Sequence, residues 1–173
     1  MAAPTPLRFA LTFVLVFAVL MGGFEALRGS AFERVVVEDV ILKPTVALIN
    51  AVTPAEGVRL EGRILVSPDG ANLRVIRGCE GIEMFVLLIA AIVAFPASPA
   101  MRLRGLLEGA LLAYGLSVLR LMALHYVLRY SPTAWEALHG LVLPLGPLLL
   151  LGLYFLRWTA AAGAAPAGAP RAS

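Results

Sequence analysis

Arg77-Gly78-Cys79-Glu80-Gly81-Ile82-Glu83-Met84-Phe85-Val86-Leu87-Leu88-Ile89-Ala90-Ala91-Ile92-Val93-Ala94-Phe95-Pro96 passes within a few residues from a charged, glycine-rich stretch into an apolar run. A run of this kind approaches the roughly 20 residues that a helix needs to cross a hydrocarbon core. We place its span at about 81–97, and three further stretches of the same character at about 9–27, 105–128 and 138–157. The whole chain agrees with this reading. Of 173 residues, 60% are hydrophobic and only 14% charged, and the mean hydropathy is +0.89, too apolar for an ordinary soluble domain. The expectation is a single all-α integral membrane domain over 1–173, with about four transmembrane helices and no room for a separate soluble catalytic unit.

The first apolar stretch follows Arg8 and lacks a clear small-x-small cleavage site before Arg28, so it reads as a retained anchor rather than a removed signal peptide. Between it and the second span lies a connection at 28–80. Glu33 to Pro54 mixes Val36, Val40, Leu48 and Ile49 with Glu38, Asp39 and Lys43, which predicts an amphipathic helical segment at the membrane surface. Pro44 either breaks this helix or starts a second one. Further on, Leu60–Val66 and Ala71–Ile76 flank Ser67-Pro68-Asp69-Gly70, and the proline and glycine suit a tight turn. That pattern predicts a small β-hairpin whose second strand ends at Arg77-Gly78 and delivers Cys79 to the mouth of span two.

Span three opens Gly105-Leu106-Leu107-Glu108-Gly109, a Gly-x-x-x-Gly spacing that allows close helix approach, with Arg104 and Glu108 spaced to pair. Pro144 and Pro147 should kink span four, which ends in an interfacial set of Tyr154, Arg157 and Trp158. The Ala/Gly/Pro tail over 159–173 is expected to be disordered.

With both termini inside, the cytoplasmic side carries five basic residues, Arg8, Arg102, Arg104, Arg157 and Arg171, and the opposite side eight, seven of them in the long connection. Long segments weigh less than short ones, so Arg102 and Arg104 in a short loop, set against the single Arg129, favour that orientation. The net charge of +3 is scattered and speaks against nucleic acid as a partner. One cysteine and two histidines at no familiar spacing speak against a metal site, and no cofactor is expected.

Cys79 is the only cysteine. Free cysteines usually pack as small hydrophobes, but this one precedes a helix, whose amide dipoles favour a thiolate. Arg120 is a charge inside span three and needs an explanation. Counted from Gly105 it lies about 22 Å along the helix, near the face from which span two starts and where span four begins with His139. Cys79, Arg120 and His139 therefore share one side of the membrane whichever way the chain is inserted. A thiolate, a guanidinium able to stabilise an oxyanion and an imidazole able to move a proton together permit acyl transfer. Other readings stay open at this point. Arg120 could form a structural ion pair with Glu83, and Glu80 and Glu83 could raise the thiol by repulsion. His139 could be a plain interfacial histidine, and His125 reads as structural.

The set Gly78-Cys79-Glu80-Gly81-Ile82-Glu83, then Ala94-Phe95-Pro96, Arg102-Leu103-Arg104-Gly105-Leu106-Leu107-Glu108-Gly109, Arg120 and His139 resembles the exosortase/archaeosortase family of membrane cysteine transpeptidases over roughly residues 30–158. The resemblance implies a short, single-module member in the bacterial inner membrane, with its hairpin, the 28–80 connection and its active site at the periplasmic face. It implies Cys79 as nucleophile, Arg120 as transition-state stabiliser and His139 as general acid/base, with Gly78, Gly81, Glu83 and Ser117 in support. Its implied partners are exported proteins ending in a short motif, a transmembrane helix and a basic cluster, besides membrane lipids and an acceptor that the resemblance does not name. Ser117 stands where family members commonly carry asparagine, and a hydroxyl supplies only part of that hydrogen bonding. Two functional alternatives are a non-enzymatic scaffold of an export or exopolysaccharide assembly, and an acyltransferase acting on lipid or sugar.

Overall fold

The computed structural model describes residues 6–164. Helix α1 is Pro6–Ala26. Helix α2, residues 31–52, is made of Ala31–Arg34, a π-helical stretch Val35–Leu42 and Lys43–Val52. A meander of three short antiparallel strands follows, β1 Arg59–Glu61, β2 Ile64–Val66 and β3 Leu73–Arg74, in the order β1-β2-β3. Helix α3 is Ile82–Ala94 and α4 is Pro99–Tyr130. Helix α5 runs from Pro132 through a π-helical stretch Leu138–Val142 into Leu143–Ala164.

Three of these helices, α1, α4 and Pro132–Gly163 of α5, are long and apolar enough to cross a membrane. Helix α3 is shorter. Its 13 residues rise about 20 Å, against the roughly 30 Å of a hydrocarbon core. Its ends have local causes. Gly81 takes a left-handed conformation (φ 82°) at the start, and Phe95 is extended (ψ 138°), as a residue before proline must be. Helix α4 is longer than its apolar run predicts, 32 residues or about 48 Å, because Ser98 caps it by accepting from the Met101 N–H (3.3 Å) and Pro99 begins it without an orphaned donor. The tail expected to be disordered from residue 159 is helical as far as Ala164, since Thr159-Ala160-Ala161-Ala162 propagates a helix already formed. The rest of the tail, 165–173, lies outside the described residues.

Both expected proline effects take one form. Ahead of Pro44 the Lys43 N–H reaches back five residues to the Glu38 carbonyl, and ahead of Pro144 the Leu143 N–H reaches the Leu138 carbonyl. The wider turn accommodates a ring that would clash with the carbonyl four residues back. Pro44 therefore stands in the first turn of the α-helical segment Lys43–Val52, which continues from the π-helical stretch without a break, and α5 continues through both prolines.

The expected hairpin is also revised. Leu60–Val66 is not one strand, because the chain reverses at Gly62 (φ 59°) and Arg63, pairing Glu61 with Ile64. The second turn falls where expected, with the Gly70 N–H bonded to the Ser67 carbonyl (3.0 Å). Asn50 ties α2 to this sheet, accepting from the Val58 N–H and donating to the Val58 carbonyl, both at 2.9 Å.

Two apolar clusters hold the fold. One joins α2 (Val37, Ile41, Leu42, Ile49), the sheet (Leu65, Leu73), Cys79 and the later part of α4 (Val118, Leu121, Leu124). The other is made of α3 (Leu88, Ile92), α4 (Ala113) and α5 (Leu151, Trp158). At the Gly-x-x-x-Gly pair, a Cβ on Gly109 would sit 2.7 Å from Leu88 of α3, and one on Gly105 would strike the Trp158 indole. Tyr154 donates to the Gly105 carbonyl (2.8 Å) and Trp158 to the Met101 carbonyl (3.2 Å), so these two aromatics serve helix packing. Arg104 and Glu108 form the expected pair at 2.7 Å.

Candidate functional site

The chain leaves β3 and makes two left-handed glycine turns, Gly78 (φ 79°) and Gly81 (φ 82°), around Cys79. Only glycine adopts such angles without cost. The Cys79 N–H closes the first turn on the Ile76 carbonyl (3.1 Å), and the Met84 N–H closes the start of α3 on the Gly81 carbonyl (3.1 Å). A Cβ at Gly81 would collide with the Ser117 hydroxyl and lie 3.1 Å from Met84 Cε. Ser117 itself is fully buried and donates to the Ala113 carbonyl (2.9 Å). The pair Gly81 and Ser117 thereby sets how closely the head of α3 approaches α4.

The structure brings Cys79, His139 and Arg120 together. Cys79 Sγ lies 3.7 Å from His139 Nε2, within reach of a thiol-to-imidazole proton transfer. Arg120 Nη1 donates to the carbonyl of Gly78, the residue before the cysteine (3.0 Å), while its buried Nε has no hydrogen-bond partner. Cys79 and Arg120 are nine-tenths buried, at 7% and 8% exposure. His139 stands in the π-helical stretch of α5, where such stretches often accompany functional sites. Trp135, four residues earlier, stacks on its ring at 4.8 Å and 8°, fixing the imidazole plane.

Glu83 does not ion-pair with Arg120. Among the described residues Arg120 has no carboxylate within salt-bridge distance, and the main chain is its partner. Glu83 and Arg120 instead line one cavity of about 330 Å³ with Gly78, Phe17, Leu87 and Leu148. A second, smaller cavity of about 110 Å³ is lined by Cys79, His139, Trp135, Leu121 and Leu124. Arg120 and Gly78 thus line the larger space, and Cys79 with His139 the smaller one.

Burial and the neighbouring carboxylates oppose the thiolate that the helix dipole favours. Burial pushes the Cys79 thiol above its ordinary range, Arg120 acts in the opposite sense, and Glu80 and Glu83 add to the rise. A thiol raised by burial suits a mechanism in which its proton passes to the adjacent imidazole at the moment of attack. Burial likewise holds the Glu80 carboxyl above the usual carboxylate range, against its own backbone N–H and the Arg63 charge. Arg63 bridges Glu80 (3.2 Å) to Glu33 of α2 (2.5 Å), linking α2 to the residue after Cys79.

A second buried polar group lies away from this site. His125 and Glu56, at 0% and 1% exposure, meet at 3.1 Å. Tyr130 donates to the same carboxylate, Arg129 reaches it at 3.1 Å and also Asp69 at 2.6 Å. The group fastens the 3₁₀ turn Pro54–Glu56 and the sheet to the end of α4. Burial works to raise the Glu56 carboxyl, but hydrogen bonds from Tyr130 and His125 and the Arg129 charge outweigh it and hold it below the usual range. The sequence carries no local signal for these partners, since Glu56 and His125 are 69 positions apart. The Trp135–His139 stack, by contrast, has the four-residue spacing of one helix face. No group of three or more metal-ligating side chains occurs among the described residues.

Comparison with protein-family models, with curated proteins and with solved structures finds no match to this chain.

Proposed function

We propose that the protein is a membrane-embedded cysteine transpeptidase of the exosortase kind, which cleaves a C-terminal sorting signal from exported proteins and passes them to an acceptor through a Cys79 thioester. The observation that carries this reading is the meeting of Cys79 Sγ with His139 Nε2 at 3.7 Å beside an arginine bonded to the Gly78 carbonyl. The steps follow from those positions. His139 takes the thiol proton as sulfur bonds to the scissile carbonyl carbon, and the C–O double bond opens to an oxyanion. Arg120 stabilises that charge with guanidinium N–H donors not committed to Gly78. As the oxyanion collapses the C–N bond breaks, and the leaving amine takes the proton from His139. A nucleophile from the acceptor then attacks the thioester, His139 accepts its proton, and sulfur leaves as the thiol once reprotonated. The larger cavity, lined by Phe17, Leu87 and Leu148 with Arg120 and Glu83, suits a peptide that arrives attached to an apolar helix.

The same reading has α3 completing a fourth pass with help from the segments at its ends, in the bacterial inner membrane, with Cys79 at the periplasmic face. Cys79→Ala is expected to insert normally while substrates keep their C-terminal helix. Normal processing in Cys79→Ala would overturn the proposal and favour a non-enzymatic scaffold, whereas an adduct on Cys79 carrying lipid or sugar would favour an acyltransferase of another class.

A further inference from the structure

Where α1 ends and α2 begins, a cavity of about 330 Å³ is lined by Arg28, Arg34, Arg63 and Arg77 together with Glu33 and Glu38. Four cations against two anions leave it an excess of positive charge. The arginines differ in how far they are committed. Arg28 pairs with Glu25 and Arg63 with Glu33 and Glu80, whereas Arg34 and Arg77 are exposed and have no ion pair among the described residues. Next to this cavity on the same helix is one of about 270 Å³, lined by Phe24, Phe32, Val36, Val40, Phe85 and Tyr114 and without polar surface. Phe32 and Val40 are about half exposed, at 54% and 47%. A basic pocket and an apolar groove thus flank the same turns of α2, at the end of a membrane-spanning helix.

We propose that this corner is a binding site for an anionic phospholipid, with its phosphate held by Arg34 and Arg77 and one acyl chain in the groove. Charge complementarity selects an anion, and the apolar groove beside it selects an amphiphile over a free ion. Guanidinium forks suit phosphate oxygens, and basic residues at the membrane surface attract anionic headgroups. Arg77 is two residues from Cys79, and Arg63 joins the same pocket to Glu80, so an occupied site would bear on the turn that holds the thiol. The inference does not depend on the transpeptidase reading.

The test uses the full chain, delipidated in detergent and titrated with phosphatidylglycerol or phosphatidylcholine in mixed micelles, with bound lipid read by mass spectrometry of the intact complex. Phosphatidylglycerol is expected to bind more tightly, and Arg34→Ala with Arg77→Ala to weaken it by about fivefold per arginine, while the corresponding double lysine variant retains most of the affinity. Equal binding of phosphatidylcholine, or unchanged phosphatidylglycerol binding in the double alanine variant, would overturn the site. Displacement of the lipid by millimolar inorganic phosphate or glycerol 3-phosphate would show a free-anion site instead, and displacement by an acidic peptide at the lipid's own concentration would show a peptide subsite. Either result overturns the lipid assignment.

Discussion

Gly81→Ala tests the contact that places the head of α3 against α4, two residues from Cys79. Gly81 has φ 82°, where a side chain costs about 1–2 kcal/mol. The added methyl would also overlap the buried Ser117 hydroxyl and approach Ser117 Cβ and Met84 Cε, both at 3.1 Å. Overpacking of this kind adds roughly 1–3 kcal/mol, so the expected loss is about 2–5 kcal/mol. Met84 Cε is the free end of a flexible chain and can move, but Ser117 lies on α4 and cannot retreat far. Ser117→Gly in the same chain should therefore restore much of the packing part and none of the backbone part, giving a coupling of roughly 1–3 kcal/mol. Reversible unfolding of the four proteins of this cycle by sodium dodecyl sulfate in mixed micelles measures it. A Gly81→Ala chain within about 0.5 kcal/mol of the parent, or a double variant with no coupling, would refute the argument.

Ser117→Asn inserts a larger side chain at the same fully buried contact, and a loss of about 1–3 kcal/mol is expected in that assay. Because burial raises the Cys79 thiol, its alkylation by iodoacetamide should climb about tenfold per pH unit up to and beyond pH ~9; a plateau reached at pH 6–7 would instead reveal a thiolate–imidazolium pair. Glu56 is held below the usual carboxylate range, so its contribution to stability is present above the unfolded carboxylate pKa and is lost as pH falls through the lower folded value. Glu56→Gln should accordingly lower the thermal midpoint at pH 7 and flatten its decline below pH ~4.3, and an unchanged decline would exclude Glu56 as its source. Trp135→Ala leaves Cys79 and His139 in place but frees the imidazole plane, and should slow processing while sparing the thermal midpoint; equal rates would show that the stack does not position His139.

How much of this was legible in the sequence differs from one residue to the next. The meeting of Cys79, Arg120 and His139 follows from counting along helices, since antiparallel helices joined by short turns return to the same end and no side-chain detail is needed. The Arg104–Glu108 pair and the Gly105/Gly109 approach are legible for the same reason, being set by helix periodicity. The partner of Arg120 was not. Glu83 lies at the head of α3 on the side where Arg120 arrives, which suggests an ion pair, but the turn at Gly78 presents a carbonyl first. The upward push on the Cys79 thiol comes first from burial, with residues of α4 and α5 lining the space beside it, which no local pattern reports. Gly62 reads as a strand interior because it lies within Leu60–Val66, and only the pairing of Glu61 with Ile64 shows it to be a turn. The π-helical stretches before Pro44 and Pro144 answer a clash that periodicity does not record.

The central claim is that substrate passes through a thioester on Cys79, and hydroxylamine capture tests it most directly. Membranes containing the protein and a processed substrate are incubated with hydroxylamine, and the new C-terminus of the product is read by mass. The thioester mechanism predicts a C-terminal hydroxamate that disappears in Cys79→Ala. Product that ends in a free carboxylate whatever the hydroxylamine concentration, and that forms equally in Cys79→Ala, would contradict it.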